Sequence, residues 1–313
     1  MRTAFARAFE RLAATDPRWV LLSADTGFRV FDEFRAERPD QFLNVGVSEQ
    51  AAVGFAAGMA SEGFRPVLYG IVPFVTARCL EQLRIDVCLR GLPVLIVGVG
   101  AGVTYGAEGP THYSLHDVAA MSALPGMTVL APGDPFEVES LMHAIATHDG
   151  PAYLRLAKSG EPAVHDRPPE TLRIGGLIRI RAGVKIALIG TGHMLTTAVD
   201  TCERLAERGF AASCFSAPTL KPIDADAIRE IASTHSMIAT IEEHEPFGGL
   251  HAIVSQIVAE SGLSCRVVRF SMPDQADLGI GSGPYLRAKH HLDAESVAER
   301  IARIATDAWP VTA

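Results

Sequence analysis

Apolar positions along the chain follow two alternating rhythms. Short continuous runs predict strands buried on both faces at Trp19 to Ser23, Phe42 to Val45, Pro66 to Tyr69, Leu92 to Gly98, Met127 to Leu130 and Ala152 to Leu156. Stretches of helical spacing lie between them. Ala4 to Ala14 puts Phe5, Ala8, Phe9 and Leu12 on one face. Ser48 to Glu62 predicts a helix packed through small residues (Ala51, Ala52, Gly54, Ala56, Ala57, Gly58), and further helices are expected over Phe74 to Arg90, Leu115 to Ala123 and Asp134 to His148. Strand and helix in alternation imply a parallel sheet covered on both faces.

The rhythm stops at Lys158 to Arg173, a polar stretch with Pro162, Pro168 and Pro169 that suits an extended connection. It then restarts. Strands are expected at Val184 to Gly190, Ala211 to Phe215, Met237 to Ile241 and Cys265 to Phe270. Helices are expected at Met194 to Arg208, Asp224 to Thr234, Leu250 to Ser261 and Ala294 to Ala305. The expected architecture is α/β with two parallel or mostly parallel sheet domains: residues 1–160, a linker at 161–173, and residues 174–313.

Composition agrees. At 313 residues the chain exceeds the ~250–300 at which one core stops growing. It is 48% hydrophobic and 20% charged, too apolar for a disordered chain. Its formal net charge of -8 argues against nucleic acid or an anionic membrane as partner. The five cysteines are odd in number and form no CxxC pair, so reduced thiols are expected rather than a disulfide framework or zinc site. No apolar window approaches the ~20 residues that cross a bilayer, and the first residues lack the apolar core of a signal peptide. A soluble, cytoplasmic protein is expected.

Two segments stand out chemically. In Asn44-Val45-Gly46-Val47-Ser48-Glu49-Gln50 a strand ends, glycine turns the chain, and Glu49 opens a helix. Glu49 there is either a capping acid favoured by the helix dipole or a proton-exchanging group at the strand edge where α/β ligand sites lie. The loop from Gly98 to Pro110 follows the most apolar strand and leads to Thr111 and His112. It has neither GxGxxG nor P-loop spacing. Its glycines allow close backbone approach to a ligand, and Glu108, Thr111 and His112 supply polar chemistry.

Other candidates carry two readings each. His112 and His116, with Asp117, either share a helical face able to bind metal or are divided between loop and helix start. Gly190-Thr191-Gly192-His193 is an anion site or a tight turn. Arg155, at a strand end, binds phosphate or carboxylate, or makes a surface salt bridge. Glu242-Glu243-His244-Glu245, before Gly248-Gly249, reads as a polar loop leading into a helix.

In their order, Asn44 to Gln50, Gly106-Ala107-Glu108-Gly109-Pro110-Thr111-His112 and Ile241-Glu242-Glu243-His244 with Gly248-Gly249 resemble transketolases. The nearest likeness is to C-terminal half-subunits of split transketolases, and deoxyxylulose-phosphate synthase is more distantly similar. The resemblance implies a pyrimidine-binding domain of a thiamine diphosphate enzyme, followed by a transketolase C-terminal domain serving largely for assembly. Glu49 matches the glutamate that bonds N1′ of the aminopyrimidine, favouring the imino tautomer that removes the thiazolium C2 proton. Phe74 matches an aromatic that stacks on the pyrimidine, though its residue type also suits core packing. Asp25 matches an acid near the cofactor, and Ile71 stands at a cofactor-side place that is often aromatic. His112 matches a histidine touching the substrate's reacting oxygens, and Arg155 falls where substrate phosphate is often bound.

Other positions depart from the pattern. Glu108 stands where Asp is usual, Gly100 stands in for a histidine that touches the donor ketose, and Arg29 lies near a usually small polar position. These substrate-side changes imply a specialised sugar-like substrate, with an extra anionic group opposite Arg29. Family members hold diphosphate and Mg²⁺ with Gly-Asp-Gly and a later Asn. No Gly-Asp-Gly occurs here, and Pro135 spoils Gly133-Asp134-Pro135 by removing a backbone donor. The resemblance therefore implies an N-terminal transketolase subunit carrying the diphosphate site, in an α2β2 assembly. Three alternatives remain open: the beta subunit of a 2-oxo-acid dehydrogenase's decarboxylating component, a synthase-like carboligase, and a non-catalytic assembly partner.

Overall fold

A computed structural model describes residues 1–158, 160–275 and 278–308. Ser159, inside the expected connection, and residues 309–313, at the end of the expected second domain, lie outside them. In the first half, strands β1 (Trp19–Ser23), β2 (Phe42–Asn44), β3 (Arg65–Ile71), β4 (Leu95–Val99), β5 (Thr128–Leu130) and β6 (Ala152–Leu156) alternate with helices. Those helices are α1 (Arg2–Thr15), α2 (Asp32–Glu37), α3 (Glu49–Ser61), α4 (Val72–Val75), α5 (Leu80–Gln82), α6 (Asp117–Ser122) and α7 (Pro135–Ile145). The second half contains β7 (Ile178–Arg181), β8 (Lys185–Gly190), β9 (Ser213–Ser216), β10 (Thr219–Lys221), β11 (His235–Ile241) and β12 (Arg266–Phe270). Its helices are α8 (Met194–Glu207), α9 (Ala225–Thr234), α10 (Leu250–Ser261), α11 (Gly283–Lys289) and α12 (Ala294–Ala308).

The first sheet has strand order β10-β5-β6-β4-β3-β1-β2, and the second β12-β11-β8-β9-β7. Each is parallel except for one edge strand: β10 runs antiparallel to β5, and β7 antiparallel to β9. Strands β1, β4 and β6 are buried at every position, which is why they read as unbroken apolar runs. α1 and α7 cover one face of the first sheet through Phe5, Phe9, Val138 and Leu141. On the opposite face the core is shared. It runs from Ala52 and Val53 of α3 through Ile189 of β8 to Ile228 of α9 and Val254 of α10. β10, although it lies between the second sheet's β9 and β11 in the chain, joins the first sheet.

The helix expected over Phe74 to Arg90 is broken. Pro73 starts α4, Thr76 leaves helical geometry (φ -114, ψ -83), and the chain resumes as α5 and a wide turn at Leu83–Cys88. Thr76 Oγ1 donates back to the Val72 carbonyl at 2.6 Å, a local bond that competes with helix continuation. The break aims Phe74 and Arg78 toward the edge described below. Among the described residues no helix is long and apolar enough to cross a membrane. All five cysteines are free thiols.

Candidate functional site

Strands β2, β1, β3 and β4 are parallel neighbours, so the segments leaving their C-terminal ends converge on one edge. β1 leads to Asp25 and Arg29, both exposed and both in the left-handed region (φ 50 and 65). Asn44, ending β2, donates to Asp25 Oδ1 at 3.1 Å and accepts from the Gly46 amide at 2.9 Å. This ties the two loops and sets the turn into α3. Glu49 is the first residue of α3, at 4% exposure, with Ala52, Val53, Ala56 and Ala57 buried behind it.

A carboxylate this buried needs a partner, and Arg78 supplies it. Arg78 Nη1 donates to Glu49 Oε2 at 2.7 Å, while Oε1 accepts no hydrogen bond from the described residues. The same guanidinium lies 4.2 Å from the Phe74 ring centroid. Phe74 in turn meets the His112 ring edge-on, with centroids 5.4 Å apart. Glu49, Arg78, Phe74 and His112 thus form one connected chain of groups drawn from three strand ends. Ile71, half-buried, closes β3 and precedes α4 directly. Arg78 was not among the sequence candidates. The signal available was its place four residues after Phe74, near a helical repeat.

The glycine loop owes its path to two positions. Gly100 has φ +94, and a Cβ there would lie 2.1 Å from the Tyr105 ring. Glycine in the expected place of a histidine is thus a demand of this backbone as well as a change in chemistry. Gly102 pairs antiparallel with Ser114, closing the loop at its base. Glu108 and Thr111 are exposed at the far end; Thr111 Oγ1 lies 2.9 Å from His112 Nδ1, which orients the imidazole.

Arg155 is placed elsewhere. It is 3% exposed, so it makes no surface salt bridge. Its Nε donates to Asp117 Oδ2 at 2.7 Å, and Nη2 donates to the carbonyls of Ser114 and Glu243, each at 2.9 Å. The Tyr153 hydroxyl also donates to Asp117, at 2.6 Å. Burial would raise the Asp117 carboxyl, but Arg155's charge and hydrogen bond outweigh it and hold Asp117 below the usual range. Arg155 is an internal clamp between the two halves.

The second-half motifs also change meaning. Gly190 to His193 makes a tight strand-to-helix turn, with Gly192 at φ +57. Glu242, Glu243 and His244 lie in the loop between β11 and α10, as expected, but all three are buried. Glu242 accepts from the Leu250 and His251 amides at 2.7 and 2.8 Å, capping α10. Glu243 lies against His193, Arg287 and the Val103 amide. Their importance was hidden because sequence shows charge but not burial. His112 and His116 share no helix, since α6 begins at Asp117. Among the described residues no group of three or more His, Cys, Asp or Glu could hold a metal ion.

A buried carboxylate with an acceptor oxygen to spare, beside an aromatic ring, suits a flat nitrogen heterocycle. The donor set thus fits the aminopyrimidine portion of thiamine diphosphate.

Residues 1–162 match the transketolase pyrimidine-binding domain, and residues 175–297 the transketolase C-terminal domain. The chain is 32% identical over 299 residues to one of the subunits of the apulose-4-phosphate transketolase of Phocaeicola vulgatus, covering 95% of each. It is 35% identical over 303 residues to 1-deoxy-D-xylulose-5-phosphate synthase 1 of Geobacter metallireducens, of which it spans 48%. Among solved structures, a split-gene transketolase in an inactive beta4 tetramer superposes with a TM-score of 0.86 at 29% identity, over 97% of each chain.

Proposed function

Since the chain belongs to the transketolase family, we propose that it is the C-terminal subunit of a split transketolase, transferring a two-carbon ketol unit from a ketose-type donor to an aldehyde acceptor. The observation that carries this reading is Glu49 buried at the sheet edge with Phe74 and His112 linked to it through Arg78. The end-to-end likeness to a relative named as one subunit of a transketolase supports it.

In this reading residues 1–160 bind the pyrimidine, 161–173 connect, and 174–313 form the C-terminal domain. Bound thiamine diphosphate supplies an electron sink for cleaving a bond beside a carbonyl. Glu49 bonds the pyrimidine ring nitrogen, and Phe74 stacks on the ring, with Ile71 and Asp25 alongside. His112 holds or moves a proton on the substrate's reacting oxygens. Glu108, Arg29 and the space at Gly100 shape the substrate end. Arg155, with Nε and Nη2 engaged internally, is the candidate for substrate phosphate. Diphosphate and Mg²⁺ fall to an N-terminal partner subunit, in an α2β2 assembly located in the cytoplasm. Phe55 and Leu89, each 59% exposed, suit subunit contact.

The test is reconstitution with an N-terminal subunit, thiamine diphosphate and Mg²⁺, assayed for ketol transfer. Activity absent from either chain alone is expected from the mixture; turnover by this chain alone overturns the division of labour. A second reading, a synthase-like carboligase, draws on the 35% identity to the Geobacter enzyme. Formation of 1-deoxy-xylulose 5-phosphate instead of ketol-transfer products would favour it.

A further inference from the structure

The loop carrying Glu108 and His112 is held from outside its own domain. Glu243, at the end of β11, is 1% exposed. Its Oε2 accepts from the Val103 amide at 2.8 Å, across 140 residues of sequence. Its Oε1 meets Arg287 Nη1 at 2.6 Å and His193 Nε2 at 3.0 Å. Burial alone would raise this carboxyl; His193 and Arg287 outweigh burial and hold it well below the usual range. The carboxylate therefore reaches Val103 as a full negative charge, which makes a stronger acceptor than a neutral group.

The loop is built to receive it. A Cβ on Gly102 would lie 1.9 Å from Glu243 Oε2, and Gly102 also has φ +62. Two more ties come from the second half. The Gly281 amide donates to the Gly106 carbonyl at 3.2 Å, and the Tyr113 hydroxyl donates to the Gly279 carbonyl. A Cβ on Gly106 would approach Gly281 O to 2.5 Å. The loop is thus pinned at Val103, Gly106 and Tyr113, on both sides of Glu108 and His112.

We infer that Glu243 is a positioning residue: with Arg287 and His193 balancing its charge, it latches the glycine loop at Val103 and so fixes where Glu108 and His112 stand. The C-terminal domain then does more than assemble subunits. The catalytic consequence, though not the latch itself, rests on the transketolase reading above.

Two variants test it. Glu243→Asp keeps the charge opposite Arg287 and His193 but withdraws the carboxylate by one methylene; Glu243→Gln removes the charge. Hydrogen exchange is followed on the chain alone, comparing the segment 100–113 with α8. Loop amides should exchange at least about tenfold faster in both variants while α8 keeps wild-type protection. Unchanged loop exchange overturns the latch. Equal loss in α8 overturns it too, because Glu243 is then a requirement of the whole fold. In the reconstituted complex, Glu243→Asp should lower kcat by about 10- to 100-fold with little change in cofactor affinity, since misplaced groups lose rate before binding. If the wild-type complex shows no ketol transfer, the functional reading fails while hydrogen exchange still decides the latch. If wild type is active and Glu243→Asp matches it, the positioning role is wrong.

Discussion

Arg78 is the counter-ion of Glu49: its guanidinium donates to the buried carboxylate at 2.7 Å. The side chains are 41% and 4% exposed, so water screens the cation but hardly reaches the acid. Removing the cation would leave a buried acid unpaired. Arg78→Ala is expected to destabilise the chain by about 1–2 kcal/mol, the discount from a fully buried pair reflecting Arg78's exposure. Urea denaturation checks this, and an unchanged midpoint would show that Glu49 needs no cation.

The clamp between Arg155 and Asp117 should matter more, because both side chains are buried. Arg155→Met strands the Asp117 charge and should cost about 3–5 kcal/mol. The double variant Arg155→Met with Asp117→Asn should recover part of that loss. Asp117 is held below the ordinary carboxylate value of 3.8, so its contribution is present above that pH and fades only as pH falls through its lower native value. Denaturation measured on all four chains gives the coupling. Additive losses would contradict the pairing.

Glu242 shifts the opposite way. Burial pushes its carboxyl up to about 7 from the ordinary 4.5, despite the pull of the His251 and Leu250 amides and the charges of Arg155 and Arg269. A raised acid favours the folded state most below pH 4.5. That contribution is lost as pH rises toward 7 and is constant beyond. Stability should therefore fall across this window by an amount on the order of a few kcal/mol. Glu242→Gln should flatten the fall, as read from urea midpoints at successive pH values. An identical slope in the variant would assign the titration to another group.

At Gly100 two constraints coincide. Gly100→Ala should destabilise by about 1–3 kcal/mol, because φ +94 strains any side chain and its Cβ meets the Tyr105 ring. Adding Tyr105→Ala should relieve the collision but not the strain, so recovery is partial. Full recovery in thermal denaturation would show that the backbone conformation costs nothing.

Legibility followed the reach of each interaction. β1 and β6 match their sequence boundaries because full burial leaves an unbroken apolar run. β7 was missed: its Ile-Arg-Ile-Arg pattern is half-buried at a sheet edge. β10 was missed because it is a three-residue strand paired with β5, far away in the sequence. Glu49 and His112 could be singled out from local motifs, Phe74 only through the family resemblance, and the structure joins them through Arg78. The partners of Arg155 and Glu243 could not be read, since they lie 38 to 140 residues away. Charge is visible in a sequence, but the burial that determines its role is a tertiary property.

The most direct measurement is ketol transfer by the complex with an N-terminal subunit, comparing wild type with Glu49→Gln. Glutamine keeps the shape of Glu49 but loses the carboxylate, so the complex should still assemble. Activity should fall by about 100-fold or more, as expected for loss of an acid–base partner. A Glu49→Gln complex as active as wild type would contradict the account.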